Sequence, residues 1–250
     1  MMADWQGDYL QPQWPAPGNV RSAITLRSGG FSDGPYASNN LATHVGDDGA
    51  SVARNRQRLR EQLQLPADPC WLDQVHGTDV IRAGDGLAGS RADGSYSQQS
   101  AIVCAVLTAD CLPVLLCNLA GDQVAAVHAG WRGLASGILS TAIASFDSPA
   151  EQILVFLGPA IGAEKFQVGE DVRQAFLVRA ADRALVERCF HSQGDRYLAD
   201  LYALARIELQ RLGVEHIYGG WYCTSSDASR FYSHRRDLCT GRNASLIWLS

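Results

Sequence analysis

Two histidines and one cysteine stand out by the company they keep. They are His76 in Asp73-Gln74-Val75-His76-Gly77, Cys111 in Thr108-Ala109-Asp110-Cys111-Leu112-Pro113, and His128 in Val127-His128-Ala129-Gly130-Trp131-Arg132-Gly133. Each lies at the mouth of an expected strand. Two imidazoles and a thiol admit two chemistries. Catalytic zinc takes three protein ligands and leaves a position open for water or substrate. Alternatively, a thiol with a neighbouring imidazole is a nucleophile with its base. Weighed singly, each residue has a plainer reading: His76 as a loop histidine, Cys111 as a small buried hydrophobe like Cys104 and Cys117, His128 as the end of a strand. Cys111 differs because a polar Thr-Ala-Asp break interrupts the apolar run just before it, and Pro113 restarts the chain in extended geometry.

Further polar groups could line a cleft around these three. Arg132, between two glycines and beside Trp131, suits bidentate binding of phosphate or carboxylate; its alternative is a solvated strand-to-helix turn. The segment from Ser225 to Asp237 gathers Arg230, His234, Arg235 and Arg236 and could form a second wall. Arg27 with the loop Asn39–Asp48, Asn40 included, could form a third. Asp110 is a candidate to orient a ligand or to exchange a proton. Gly158-Pro159-Ala160-Ile161-Gly162 lacks the Lys-Ser/Thr end of a phosphate loop and reads as a tight turn.

These residues need a scaffold. Val20–Leu26 reads as a strand, 28–48 as a long loop, and Gly49–Leu65 as a helix that buries Val52, Leu59 and Leu63, exposes Arg54, Arg56, Arg58 and Arg60, and stops at Pro66. Short strands are expected at Cys70–Val75 and Thr78–Ala83 around the His76-Gly77 turn. Residues 84–100 form a Gly/Ser-rich stretch. Buried strands follow at Ala101–Leu107, Val114–Leu116 and Val124–Val127, then a helix over Gly133–Phe146 and a strand over Ile153–Leu157. Helices are expected at Val168–Val178 and Tyr197–Leu212, with strands at His216–Tyr222 and Ala244–Leu249. No regular βαβ rhythm appears, so the fold class is α+β, mixed β-sheets with flanking helices. Nothing in composition breaks residues 1–250 into more than a single domain.

The chain has 250 residues, 46% of them hydrophobic, enough for a sizeable core. A net charge of −5 gives no basic footprint for nucleic acid, and no apolar run reaches membrane-spanning length. The start, Met1 to Asp8, is acidic and lacks the apolar core of a secretory signal. Seven irregularly spaced cysteines argue against a disulfide framework and for a reducing cytoplasm.

Taken with Asn40–Asp48, Leu157–Gly162 and Phe231–Asp237, the motifs around His76, Cys111 and His128 resemble the YfiH family, known also as laccase-domain or polyphenol oxidase proteins and as purine nucleoside phosphorylases. The match runs nearly end to end; the departure is Cys239, where the pattern leads one to expect a small residue. The resemblance implies the YfiH-like cysteine hydrolase fold, with His76, Cys111 and His128 as zinc ligands. It implies phosphorolysis of adenosine, inosine and S-methyl-5′-thioadenosine, with adenosine deamination as a side activity, and for some bacterial members the correction of peptidoglycan precursors. The laccase label fails on inventory: blue-copper and cluster sites need many histidines and usually an axial Met, whereas the chain has 6 His and its 2 methionines are Met1 and Met2. A single copper in place of zinc remains compatible with the ligands.

The leading expectation is therefore a zinc-dependent purine nucleoside enzyme, with Arg27, Asn40, Arg132 and Arg235 as substrate-binding candidates, nucleoside and phosphate as its small-molecule partners, and a monomeric state. The second is a metal-free cysteine hydrolase or amidase with Cys111 as nucleophile. The third and weakest is a binding module without turnover.

Overall fold

The apolar run between residues 101 and 129 divides between two sheets that pack face to face, and the crossing from one to the other carries the thiol. The structure is a computed structural model that describes residues 5–84 and 87–250. Met1–Asp4 of the acidic start and Asp85–Gly86 of the Gly/Ser-rich stretch lie outside the described residues.

In chain order the elements are β1 (Trp5–Gln6), β2 (Tyr9–Leu10), β3 (Val20–Thr25), α1 (Gly49–Gln62), β4 (Val80–Arg82), β5 (Gly94–Ser97), β6 (Val103–Thr108), β7 (Leu112–Asn118) and β8 (Val124–Ala129). They continue as α2 (Trp131–Ser136), α3 (Ile138–Ala144), β9 (Ile153–Leu157), β10 (Gln167–Val168), α4 (Glu170–Leu177), α5 (Arg183–Glu187), β11 (Phe190–Gln193) and β12 (Arg196–Ala199). The last are α6 (Leu201–Arg211), β13 (His216–Gly219), α7 (His234–Asp237) and β14 (Asn243–Leu249). A five-stranded antiparallel sheet has the order β1-β2-β3-β14-β6, and a six-stranded mixed sheet the order β13-β9-β7-β8-β5-β4. A small three-stranded sheet joins β10, β12 and β11. The architecture is the expected α+β arrangement of mixed sheets and flanking helices.

Side-chain alternation sorts the strands into layers. Leu115 and Cys117 of β7, Val124 and Ala126 of β8, and Leu154 and Phe156 of β9 face Ile24, Cys104, Val106 and Ile247 of the other sheet. The opposite parity, Leu112, Val114, Val127, Val155 and Leu157, packs under Leu134, Ile138, Leu139, Leu204 and Leu209 of the helices. Beyond the five-stranded sheet, Ala105, Leu107, Leu246 and Trp248 meet Leu41, Ala42 and Leu59. Strands covered on both faces read as continuous apolar runs, which is why β6, β7 and β8 were legible. Each fully buried Leu or Ile in these layers contributes about 1.5–3 kcal/mol.

Several expectations need correction. The helix over 133–146 is two helices, because Gly137 at φ 102° ends α2 and starts α3 in a left-handed conformation that a Cβ disfavours. The helix expected over Tyr197–Leu212 begins instead as β12, and Asp200 caps α6 by accepting a hydrogen bond from the Ala203 amide at 2.9 Å. Pro66 does not stop α1. Gln64 does, at φ 48°, with the Gln64 and Leu65 amides donating back to the Glu61 and Arg60 carbonyls. Arg56 is half-buried rather than solvated: it donates to the Leu41 carbonyl and stacks over Trp71 at 4.3 Å. Around His76 only β4 is a true strand, whereas the Gly/Ser-rich stretch holds β5.

Candidate metal-binding active site

Three chain segments converge at one end of the paired sheets. β6 ends at Thr108 in one sheet and β7 starts at Leu112 in the other, so Ala109–Cys111 is the crossover. β8 runs antiparallel to β7 with His128 opposite Pro113, which brings the imidazole beside the thiol. β5 pairs with β8 on its other side, Gly94 opposite Val127, so Asp93 sits next to His128, whose amide donates to the Asp93 carbonyl at 2.7 Å. The His76 turn is pinned to the edge of β6 by Gln74. Its amide group donates to the Leu107 carbonyl at 2.9 Å and accepts from the Leu107 amide at 2.7 Å.

Asp93 organises both histidines. One carboxylate oxygen accepts from the His76 amide at 2.9 Å and lies 2.8 Å from Nδ1 of His128. The other accepts from the Gly77 amide at 2.6 Å and the Val75 amide at 3.2 Å. His76 itself holds φ 60°, a left-handed conformation that non-glycine residues adopt only when their surroundings enforce it. Burial alone would raise the Asp93 carboxyl, but the bonds from His128 and from the Gly77 and Val75 amides outweigh it and hold it below the usual range.

The donor atoms of His76, Cys111 and His128 lie within 4.8 Å of one another. Cys111 Sγ is 3.8 Å from His76 Nε2, and the two rings meet edge to face at 4.8 Å between centroids. Donors on a tetrahedral zinc ion stand about 3.5 Å apart, so this set fits with a small contraction. The donor chemistry fits as well: a thiolate and two imidazoles suit zinc, and Asp93 fixes Nδ1–H of His128 so that Nε2 is free to ligate. His128 is buried, Cys111 half-buried and His76 exposed, so the cluster opens to solvent on the His76 side. Gly130 lines it closely: a Cβ there would stand 2.9 Å from the His76 ring and 3.2 Å from the sulfur. Among the described residues this is the one cluster of three or more such groups.

Charge is strongly redistributed here in the metal-free chain. Burial would raise the Cys111 thiol, but the charge and hydrogen bonds of His128 and His76 bring it down to about 6. Burial would lower His128, but the Cys111 thiolate and the Asp93 carboxylate lift it to about 9. Cys104 and Cys117, by contrast, are pushed up to about 12 by burial and are inert packing groups.

The other sequence candidates are placed differently. Asn40 is fully buried and all four of its hydrogen-bonding positions are occupied. It donates to Ala42 O and Asp47 and accepts from the Ala42 and Arg242 amides, so no group is left for a substrate. Arg27 donates to the Ala37 and Ala228 carbonyls and lies over Tyr232 at 5.0 Å, joining the long loop to the C-terminal segment. Asp110, at φ 91°, accepts from Thr224 Oγ1 and the Arg235 amide, each at 2.6 Å. It anchors the C-terminal wall rather than orienting a ligand; Asp93 does the orienting. Arg235 donates through Nη1 to Gln167 O at 2.7 Å. Arg132 is exposed and stacks over Trp131 at 4.4 Å. Asp93 and Arg242 escaped sequence reading. Asp93 lies in a Gly/Ser-rich stretch with no periodicity, and its offsets of 17 from His76 and 35 from His128 match no local motif.

Comparison with known proteins decides the family. A family model described as multi-copper polyphenol oxidoreductase laccase matches residues 21–250. Purine nucleoside phosphorylase YfiH of Escherichia coli is 52% identical over 241 residues, covering 96% of this chain and 98% of that protein. The chain belongs to the YfiH family. Another relative, purine nucleoside phosphorylase PA4543 of Pseudomonas aeruginosa, is 49% identical over the same share of this chain and 98% of its own. The crystal structure of Neisseria meningitidis protein NMB0706 superposes with a TM-score of 0.92 at 48% identity, covering 98% of this chain and 100% of the other. That of YlmD from Geobacillus stearothermophilus gives 0.91 at 30% identity, over 99% and 98% of the two chains. The YfiH fold is thus the fold of this chain. Among the described residues, no helix is long and apolar enough to cross a membrane.

Proposed function

We propose that this chain is a zinc-dependent purine nucleoside phosphorylase acting on adenosine, inosine and S-methyl-5′-thioadenosine, with adenosine deaminase activity at the same site. The observation that carries the reading is the convergence of His76, Cys111 and His128 on one point, in a chain similar almost end to end to proteins named purine nucleoside phosphorylase. The three residues would hold the metal, copper being a substitute the ligands tolerate. When bound, zinc supplies a Lewis acid and lowers the pKa of a water. His128 is the rigid ligand, buried and fixed by Asp93. His76 stands on the solvent side, and its backbone is held by the same carboxylate. Arg132 and Arg235 stand as candidate phosphate-binding cations at the rim. Phosphorolysis breaks the bond between ribose C1′ and the purine nitrogen and joins C1′ to a phosphate oxygen, leaving ribose 1-phosphate and free base.

In this reading the protein forms one domain over 1–250 and works as a cytoplasmic monomer, with small-molecule partners and no nucleic acid or membrane. A multicopper oxidase is set aside because the one cluster of three such ligands among the described residues cannot hold several coppers. The second reading, a metal-free cysteine hydrolase or amidase editing peptidoglycan precursors, has a specific observation in its favour. Asp93, His128 and Cys111 stand in the order of orienting acid, base and nucleophile. Incubation with adenosine and phosphate separates the two. Adenine and ribose 1-phosphate from zinc-loaded protein, lost on chelation, supports the phosphorylase. A chelation-resistant activity on amides with a covalent Cys111 adduct overturns it.

A further inference from the structure

Arg242 carries a guanidinium that the fold half-buries beside the cluster and leaves without a bonded carboxylate. Its position follows from sheet register: β14 pairs with β6, Asn243 opposite Thr108, so Arg242 precedes the start of β14 just where β6 gives way to the Ala109–Cys111 crossover. Its amide is fixed by the buried Asn40 oxygen at 2.9 Å. The guanidinium donates through Nη1 to the Thr240 and Gly241 carbonyls, at 2.9 and 3.0 Å. A guanidinium has five N–H donors. Among the described residues nothing engages Nε or Nη2, the edge whose parallel donors match two oxygens of one anion.

Charged groups of both signs surround it. Burial disfavours the charged guanidinium, and the anionic forms of Cys111, Asp110, Cys239 and Tyr36 nearby favour it. Of these, Asp110 is already bound by Thr224 and the Arg235 amide, and Tyr36 donates to the Val45 carbonyl at 2.7 Å while its oxygen stands 3.1 Å from Cys239 Sγ. His44, on the loop that Asn40 anchors, is lowered by burial and by the like charges of Arg242 and Arg56, against the opposing charge of Asp73. Arg56 is likewise half-buried without a carboxylate, its Nε and Nη2 on Leu41 O. Arg242 and Arg56 are thus two guanidiniums that no carboxylate bonds, in a chain of net charge −5.

We infer that the free Nε/Nη2 edge of Arg242 is the oxyanion subsite of this centre and binds inorganic phosphate, the co-substrate of phosphorolysis. The inference rests on the phosphorylase reading for the identity of the anion. A carboxylate on a substrate is the competing source of the same chemistry.

The test uses zinc-loaded wild type, R242Q and R242K. Phosphate binding is titrated calorimetrically, and KM for phosphate and for adenosine are measured with zinc content. Loss of a bidentate charge-assisted contact predicts that R242Q weakens phosphate binding and raises its KM by roughly 10- to 100-fold. Adenosine KM and zinc content should stay within about twofold, and R242K should fall between. Phosphate affinity unchanged in R242Q overturns the subsite, as does a joint loss of zinc and phosphate binding, which would make Arg242 a structural residue. A rise in the KM of adenosine instead of phosphate overturns it in favour of the nucleoside. Phosphate that binds wild type and not R242Q, without any turnover, keeps the subsite and refutes the phosphorylase reading. Turnover with unaltered phosphate KM in R242Q does the reverse.

Discussion

Replacing Asp93 by Asn tests whether one buried carboxylate organises the whole centre. The two oxygens of Asp93 each face two N–H groups: His76 amide and His128 Nδ1 on one, Val75 and Gly77 amides on the other. An amide offers one oxygen and one NH2, so either rotamer turns donors against two N–H groups. Losing two bonds to a charged acceptor, at about 1.5–3 kcal/mol each, gives roughly 3–6 kcal/mol before relaxation. Rehydration on the exposed His76 side reduces this to about 3 kcal/mol, or a fall in Tm of about 6–12 °C for a chain of this size. An orienting carboxylate removed from a ligating histidine also lowers metal affinity by about 10- to 100-fold. The pH dependence gives a second handle. The folded carboxyl lies below its unfolded value, so its contribution is full above about pH 4 and is lost as pH falls through the lowered folded value. D93N should lose that part of the acid dependence. Thermal melts across pH and zinc competition against a chelator measure both effects. A D93N protein with Tm within about 2 °C and zinc affinity within about twofold of wild type would show that Asp93 does not organise the centre.

Three further outcomes follow from the same geometry. G130A, whose backbone at φ −61° accepts Ala, should fold normally yet lose metal binding by at least about tenfold, because its methyl stands 2.9 Å from the His76 ring; an unaltered zinc affinity on chelator competition would show the cluster is looser than drawn. With Cys111 brought down to about 6 and His128 lifted to about 9, zinc binding at pH 7.5 should release about one proton, from His128, and affinity should fall about tenfold per pH unit from 9 to 6; calorimetry in buffers of different ionisation enthalpy reads this, and a pH-independent affinity contradicts it. In metal-free protein, iodoacetamide should alkylate Cys111 with a rate that rises through about pH 6, while Cys104 and Cys117, pushed up to about 12, stay unmodified. Peptide mapping that finds Cys104 labelled first would count against the assigned charges.

The three candidate ligands were legible because their types are rare and sit at interruptions of apolar runs: Cys111 follows Thr-Ala-Asp, and His128 precedes Ala-Gly-Trp. The buried strands β6 to β9 were legible because both their faces are covered, so nearly every position is apolar. What organises the site was hidden. Asp93 acts through a turn of three backbone amides, and backbone donors leave no trace in residue types. Arg242 is defined by what it lacks, a carboxylate partner, which only three-dimensional packing reveals. Conversely, Asn40 and Arg27 read as site residues because they are polar and lie in or beside a long loop, yet their hydrogen bonds tie that loop together and to the C-terminal segment. The elements misread, β5, β12 and the break at Gly137, are short or depend on one φ angle, below the length at which periodicity speaks.

Metal content measured beside turnover of adenosine with phosphate, for wild type and C111A, tests the zinc phosphorylase most directly. Wild type should hold about one zinc per chain and yield ribose 1-phosphate, and C111A should lose both with the fold intact. Metal-free wild type that still turns over substrate, or C111A that keeps its zinc, would contradict it.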